Sequence, residues 1–158
     1  MPSVRRYERQ GTKRIRSQSM SENLEKSKRW LDILARGAGE EWAEVAHPDL
    51  SMQAPFMPAG RHGRTTGIIP NRDRVTAFWK SWDSFRFHSV DIHAAADDNN
   101  LVFVTASSEA RTAWGSPYEN KYVIILRFAD GKVIEHLEFL NPLPVIEAFG
   151  DRLAPKSE

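Results

Sequence analysis

The sequence contains no cysteine. That excludes a disulfide-stapled scaffold, a thiolate nucleophile and any zinc or iron–sulfur site built on thiolates. No apolar run comes near the roughly 20 residues that a bilayer-spanning helix requires. The first residues also lack the apolar segment of a secretory signal, so a cytoplasmic location is expected by elimination. There is no glycine-rich phosphate loop, no dinucleotide fingerprint and no Gly-x-Ser-x-Gly elbow. The histidines stand at 47, 62, 88, 93 and 136, and none pairs with another at metal-ligand spacing on a helix. In a strictly alternating strand, His88 and His93 fall on opposite faces. Neither a metal nor a cofactor is expected.

Net charge is also small, at +1, but it is unevenly spread. In residues 1–16, Arg5, Arg6, Arg9, Lys13, Arg14 and Arg16 face Glu8 alone, a net +5. The other 142 residues hold 16 basic and 20 acidic groups, a net −4. A basic arm can touch nucleic acid, but a stretch this poor in apolar residues is expected to be disordered. Met20 follows it directly, and the arm reads equally as an upstream extension. The expected organisation is an arm over 1–19, one domain over 20–150 and a loose tail over 151–158. Nucleic acid is not expected as a partner, and no membrane association is.

Ser19-Met20-Ser21-Glu22 fits a capping box opening a helix that Gly37 and Gly39 end. A second short helix is expected over about 40–46, with Trp42 and Val45 on its apolar side. Residues 49–56 read as a short strand, and Pro58 to Pro70 as a long loop or ragged hairpin. Asn71 can cap a third helix, in which Val75, Phe78, Trp79 and Trp82 form one apolar stripe. After Asp83 the period changes to two, giving strands over 85–95, 101–112, 118–129 and 132–140. Their connections, Asp97-Asp98-Asn99-Asn100, Trp114-Gly115-Ser116-Pro117 and Asp130-Gly131, make an antiparallel meander. Asn141-Pro142 opens a last short helix that stops at Gly150. The fold class is α+β: three N-terminal helices packed on a strongly curved, mostly antiparallel sheet. This conical fold has a central pocket suited to a small, mostly apolar ligand.

The chemistry-bearing pair is His136 and Glu138. Two residues apart on one strand, they share a face. If that face lines the pocket, they supply a proton donor and acceptor in a dry site. If it is the outer face, both are solvated. The turn decides. A two-residue Asp130-Gly131 loop puts Val123 and Ile125 beside the pair, whereas a three-residue loop with a glycine bulge puts Tyr122 and Ile124 there.

The segment from Tyr118 to Gly150 resembles the phenazine-biosynthesis A/B proteins, in the SnoaL-like branch of the nuclear transport factor 2-like superfamily. The resemblance rests on Tyr118-Glu119-Asn120, the Asp130-Gly131 turn, Glu138-Phe139-x-Asn141-Pro142 and the short helix ending at Gly150. Glu135-His136 is also similar to a Glu-His near the end of many SnoaL-like polyketide cyclases. The element order from Met20 to Gly150 matches the superfamily.

The resemblance implies a deep pocket, a homodimer through the sheet and cofactor-free acid–base chemistry on a small hydrophobic or cyclic carbonyl ligand. It puts Glu138 at the position of the phenazine proteins' pocket acid. For an enzyme, Glu138 helped by His136 is then expected to be catalytic, with Tyr122, Phe78, Trp82, Met52 and Asn120 binding substrate. The phenazine proteins carry a pocket histidine on the third helix, where this chain has Phe78 or a neighbour in Val75-Thr76-Ala77-Phe78. That departure argues against the phenazine condensation itself and leaves the general pocket chemistry of an isomerase, cyclase, dehydrating or condensing enzyme. A non-catalytic ligand-binding or protein-interaction module on the same fold is the alternative.

Overall fold

The computed structural model describes residues 5–58 and 63–153, with side chains from Met20 onward. The side chains of the expected arm, and residues 154–158 of the expected tail, lie outside that description. Helix α1 runs Arg5–Arg36. It is already helical at Ser19, so the Ser19–Glu22 box lies inside the helix and not at its start. A 3₁₀ turn (Gly39–Glu41) leads into α2 (Trp42–Val45), and α3 spans Ile68–Trp79. α4 (Pro142–Phe149) closes the chain, with the Asn141 side chain accepting from the Leu143 N–H as expected of a cap. One more turn carries the chain to Leu153, whose side chain is buried in the core, so the described fold continues past Gly150.

Six strands form one sheet: β1 (Ala46–Gln53), β2 (Thr65–Thr66), β3 (Trp82–Ala94), β4 (Leu101–Thr112), β5 (Pro117–Ala129) and β6 (Lys132–Leu140). Their order is β2-β1-β6-β5-β4-β3. β1 runs parallel to β6 and the other neighbours are antiparallel. The meander is therefore as expected, and residues 65–66 supply the ragged hairpin. No helix among the described residues is long and apolar enough to cross a membrane.

Two of the register shifts in the sheet decide which side chains face inward. In β3, Ser89 takes a positive φ of 50° and the β4 register shifts between His88 and Asp91. The extra residue reverses the side-chain parity. His88 pairs with Ser107 and His93 with Phe103, so both histidines face outward, contrary to strict alternation. The second bulge decides the β6 face. Asp130 and Gly131, with φ of 50° and 70°, make a two-residue turn of the primed type. Ala129 pairs with Lys132 and Phe128 with Val133, but Arg127 then pairs with Glu135, leaving Ile134 as the extra residue. Beyond it Leu126 pairs with His136, Ile124 with Glu138 and Tyr122 with Leu140. The short turn and the Tyr122-side register thus coexist, because the extra residue sits in the strand and not in the loop.

On this inner face Val102, Val104, Ile124, Leu126 and Val133 are fully buried under Trp30 and Ile33 of α1 and Trp42 of α2. Ser27 holds a buried place in the α1 stripe by donating its hydroxyl to the Asn23 carbonyl at 2.8 Å. Trp82, expected on the third helix, is the first residue of β3. Asn71, expected as a cap, lies inside α3 and is fully buried.

α1 ends in a Schellman motif. Ala38 N–H bonds the Ile33 carbonyl at 3.1 Å and Gly37 N–H the Leu34 carbonyl at 3.2 Å, with Gly37 at φ 64°. A Cβ on Gly37 would lie 1.9 Å from Cδ1 of Trp79, so the helix end and the α3 indole touch directly. Gly37→Ala combines a left-handed alanine with that collision. It should lower unfolding free energy by at least ~2 kcal/mol in urea denaturation.

Candidate active site

Between the helices and the inner sheet face lies a cavity of about 120 Å³. β6 contributes His136, Glu138 and Leu140, and β5 contributes Tyr118 and Tyr122. α3 contributes Arg74, Val75, Phe78 and Trp79, and β3 contributes Trp82, Phe85 and Phe87. Met52 and Phe149 also line it. The aromatic rings brace one another: Phe78 stacks on Phe149 at 5.7 Å, and Trp82 meets Phe149 edge-on at 5.3 Å. Mutual edge-to-face contacts of this kind hold a wall in place without filling the space in front of it.

His136 is 2% exposed, and both ring nitrogens have partners. Trp30 Nε1–H donates to Nδ1 at 3.0 Å, and Nε2 lies 3.0 Å from Glu138 Oε2. An indole N–H can only donate, so Nδ1 is the acceptor and the ring proton sits on Nε2. The imidazole therefore gives an N–H to the carboxylate. A second proton on Nδ1 would confront the indole N–H head on. The two residues come together, with the ring orientation fixed from α1.

Around Glu138 the other polar groups respond to its charge. Burial pushes the Tyr118 hydroxyl up to about 12, and the Glu138 charge adds to the rise. Burial drives Tyr122 in the same direction, further, with Tyr118 and Glu138 contributing. Both phenols thus stay protonated at neutral pH. They bond each other at 3.0 Å, and Tyr122 also meets Ser108 Oγ at 2.9 Å. Burial lowers the pKa of the Arg74 guanidinium, while Glu138 acts to raise it. The indole N–H groups of Trp79 and Trp82 are buried without an acceptor among the described residues.

Of the residues expected in the site, Glu138, His136, Tyr122, Phe78, Trp82 and Met52 all border this cavity. Asn120 does not. Its Nδ2 donates to the Tyr118 hydroxyl and the Asn141 carbonyl, both at 2.8 Å, and its Oδ1 accepts from the N–H groups of Lys121 and Asn141. It positions Tyr118 and the start of α4 from behind the wall. Sequence reasoning missed Trp30 and Arg74. Arg74 could have been found, because it stands four residues before Phe78 on the same helix face. Among the described residues no three His, Asp or Glu side chains cluster closely enough to hold a metal ion.

The family model for the SnoaL-like domain matches residues 27–136. A PhzA/B-like protein of Pseudomonas aeruginosa is 26% identical over 123 residues, 76% of this chain and 84% of that one. A phenazine biosynthesis-related protein from the same species superposes with a TM-score of 0.70 at 16% identity, over 90% of this chain and 88% of that one. An NTF2-like protein of Burkholderia xenovorans gives 0.66 at 16% identity, over 81% and 95%. The shared feature is the curved sheet under its helices.

Replacing Trp30 by Phe removes the donor to Nδ1 and leaves a buried acceptor unsatisfied, which costs about 1–3 kcal/mol. Nitrogen-15 NMR of the His136 ring should show the Nε2–H tautomer in the parent protein and a mixture of tautomers in Trp30→Phe.

Proposed function

The chain belongs to the SnoaL-like domain family, and on that premise we propose that it is a cofactor-free acid–base enzyme, an isomerase or cyclase, acting on a small cyclic carbonyl compound. The observation that carries this reading is Glu138 at the wall of an aromatic cavity, with one carboxylate oxygen 3.0 Å from His136 Nε2. That N–H occupies Oε2 and fixes the carboxylate, leaving Oε1 as the proton acceptor. Glu138 takes a proton from the carbon beside the substrate carbonyl. The C–H electron pair becomes a C=C bond, and the carbonyl π pair moves onto oxygen. Return of the proton to another carbon completes an isomerisation with no net change in charge or redox state. Tyr122, Phe78, Trp82 and Met52 shape the ligand space, and the protonated phenols keep the polar end of the wall neutral.

The test is conversion of cyclohex-3-enone to cyclohex-2-enone, followed by ultraviolet absorbance. Glu138→Gln keeps the shape and removes the base, so the catalysed rate should fall by about 10²–10⁴-fold while the thermal midpoint stays close to that of the parent. If no cyclic enone or ketone is turned over or exchanges its α-hydrogens in deuterated buffer, and such compounds still bind, the chain is the non-catalytic ligand-binding module instead.

The same reading has a domain over 20–150, a cytoplasmic location and a homodimer through the outer sheet face. That face supports the dimer. Phe103 pairs with Ile125 and Ile125 with Leu137, while Val123 pairs with Phe139, an apolar block in register across three strands. Phe103 is 39% and Val123 45% exposed, and a monomer rarely leaves such a block in water. Light scattering should return twice the 18.0 kDa chain mass, and Val123→Glu should return the single mass.

A further inference from the structure

The cavity contains a cation that the acid–base reading leaves idle. Arg74 enters from α3 on the helical side, while Glu138 enters from β6 on the sheet side. Arg74 Nη2 donates to Asn71 Oδ1 at 3.2 Å. Asn71 is itself immobilised. Its Nδ2 donates to the backbone carbonyls of Leu50, Thr65 and Gly67, at 2.9, 3.0 and 2.9 Å, and its side chain has no exposure. With its nitrogen committed to three carbonyls, the amide has one orientation available, oxygen toward Arg74. A buried polar post of this kind holds the guanidinium in one direction.

An apolar aromatic pocket is a costly place for a guanidinium, and the carboxylate sharing the pocket offsets that cost. The balance changes during proton transfer. When Glu138 accepts a proton it loses its negative charge, and the same charge appears on the substrate oxygen. The guanidinium then loses the Glu138 charge that favours its ionised form. A cation that faces the substrate oxygen is neutralised at both stages, and it stabilises the charge where it develops. The cavity volume of about 120 Å³ is of the order that holds one six-membered ring. Trp82 adds a buried indole N–H in the same wall with no acceptor among the described residues, and a ligand oxygen would supply one.

We infer that Arg74 is a catalytic residue that binds the ligand oxygen and holds the negative charge transferred from Glu138. The cavity therefore selects single-ring enolisable ketones and, as their stable analogues, phenolates. This rests on Glu138 being the base in the same cavity, and the experiment separates the two claims.

The probe is 4-nitrophenol, whose ionised and neutral forms have different visible spectra, titrated against the full chain at neutral pH. Glu138→Gln mimics the protonated acid and removes a repelling charge. It should bind the phenolate about tenfold more tightly than the parent does. Adding Arg74→Gln to that variant should weaken phenolate binding by about tenfold or more and shift the bound spectrum toward neutral phenol. Arg74→Lys in its place should restore part of the loss. Nitrobenzene, the uncharged counterpart, should bind all four proteins within about threefold, which also shows that the cavity has folded. Unchanged phenolate affinity in Glu138→Gln overturns the reading of Glu138 as the base, and with it the proposal. Tighter binding in Glu138→Gln that survives loss of the guanidinium overturns the role of Arg74 alone.

Discussion

A buried imidazole joins the two layers of this molecule. His136 lies on β6, in the middle of the sheet, and its Nδ1 accepts from Trp30 on α1. Its Nε2–H reaches Glu138 at the cavity wall. The ring is costly to bury and is kept only because both nitrogens are satisfied, one by each neighbour. Trp30 is in turn fixed by an edge-on contact with Trp42 at 4.9 Å, and both indoles are buried. The position of the first helix and the orientation of the carboxylate are therefore set by the same two hydrogen bonds.

That arrangement depends on where the β5–β6 ladder gains its extra residue. Without the bulge at Ile134, the pairing Ala129–Lys132 would continue unshifted, and His136 and Glu138 would lie beside Val123 and Ile125 on the outer face. With it, the outer face receives Leu137 and Phe139, and the inner face receives the polar pair. One inserted residue thus sorts two surfaces at once: Leu137 and Phe139 go to the exterior, and the His136–Glu138 pair goes to an interior lined by aromatic rings.

The parts that were legible in the sequence are those governed by strict periodicity. β4 and β5 alternate buried and exposed side chains over most of their length, and the turns at Asp97–Asn100, Trp114–Pro117 and Asp130-Gly131 are marked by residue type. The bulges were not legible, because neither Ser89 nor Ile134 is a residue type that marks a bulge. The bulge at Ser89 overturned the opposite faces of His88 and His93, and the one at Ile134 gave the Tyr122-side register without the three-residue loop. Trp82 continued the helical spacing of Val75, Phe78 and Trp79 by coincidence, although the chain had already entered β3. Asn71 and Asn120 were recognised as important residue types and placed in the wrong roles. Asn71 spends its hydrogen bonds on backbone carbonyls and the Arg74 guanidinium, and Asn120 on a backbone carbonyl, backbone N–H groups and the Tyr118 hydroxyl, uses that no spacing rule displays. Arg74 was overlooked because a charged residue on a surface helix ordinarily faces water.

The wall explains why polar groups can persist in such a cavity. Phe78, Trp82, Phe85 and Phe149 make mutual contacts at 5.3–5.7 Å, so each ring is supported from the side and not from the space in front. Trp114 adds support from outside, donating to the Ala148 carbonyl at 2.9 Å and meeting Phe149 at 5.2 Å. Gly37 lets the α1 terminus press against Trp79, which packs on Phe78 and Phe85. Rings held in this way cannot easily collapse onto Glu138 and exclude a ligand. They also keep the local dielectric low, which strengthens every charge interaction inside. The aromatic wall and the charged pair are in that sense one device. The rings make the guanidinium and the carboxylate costly to bury, and a ligand that carries charge between them relieves that cost.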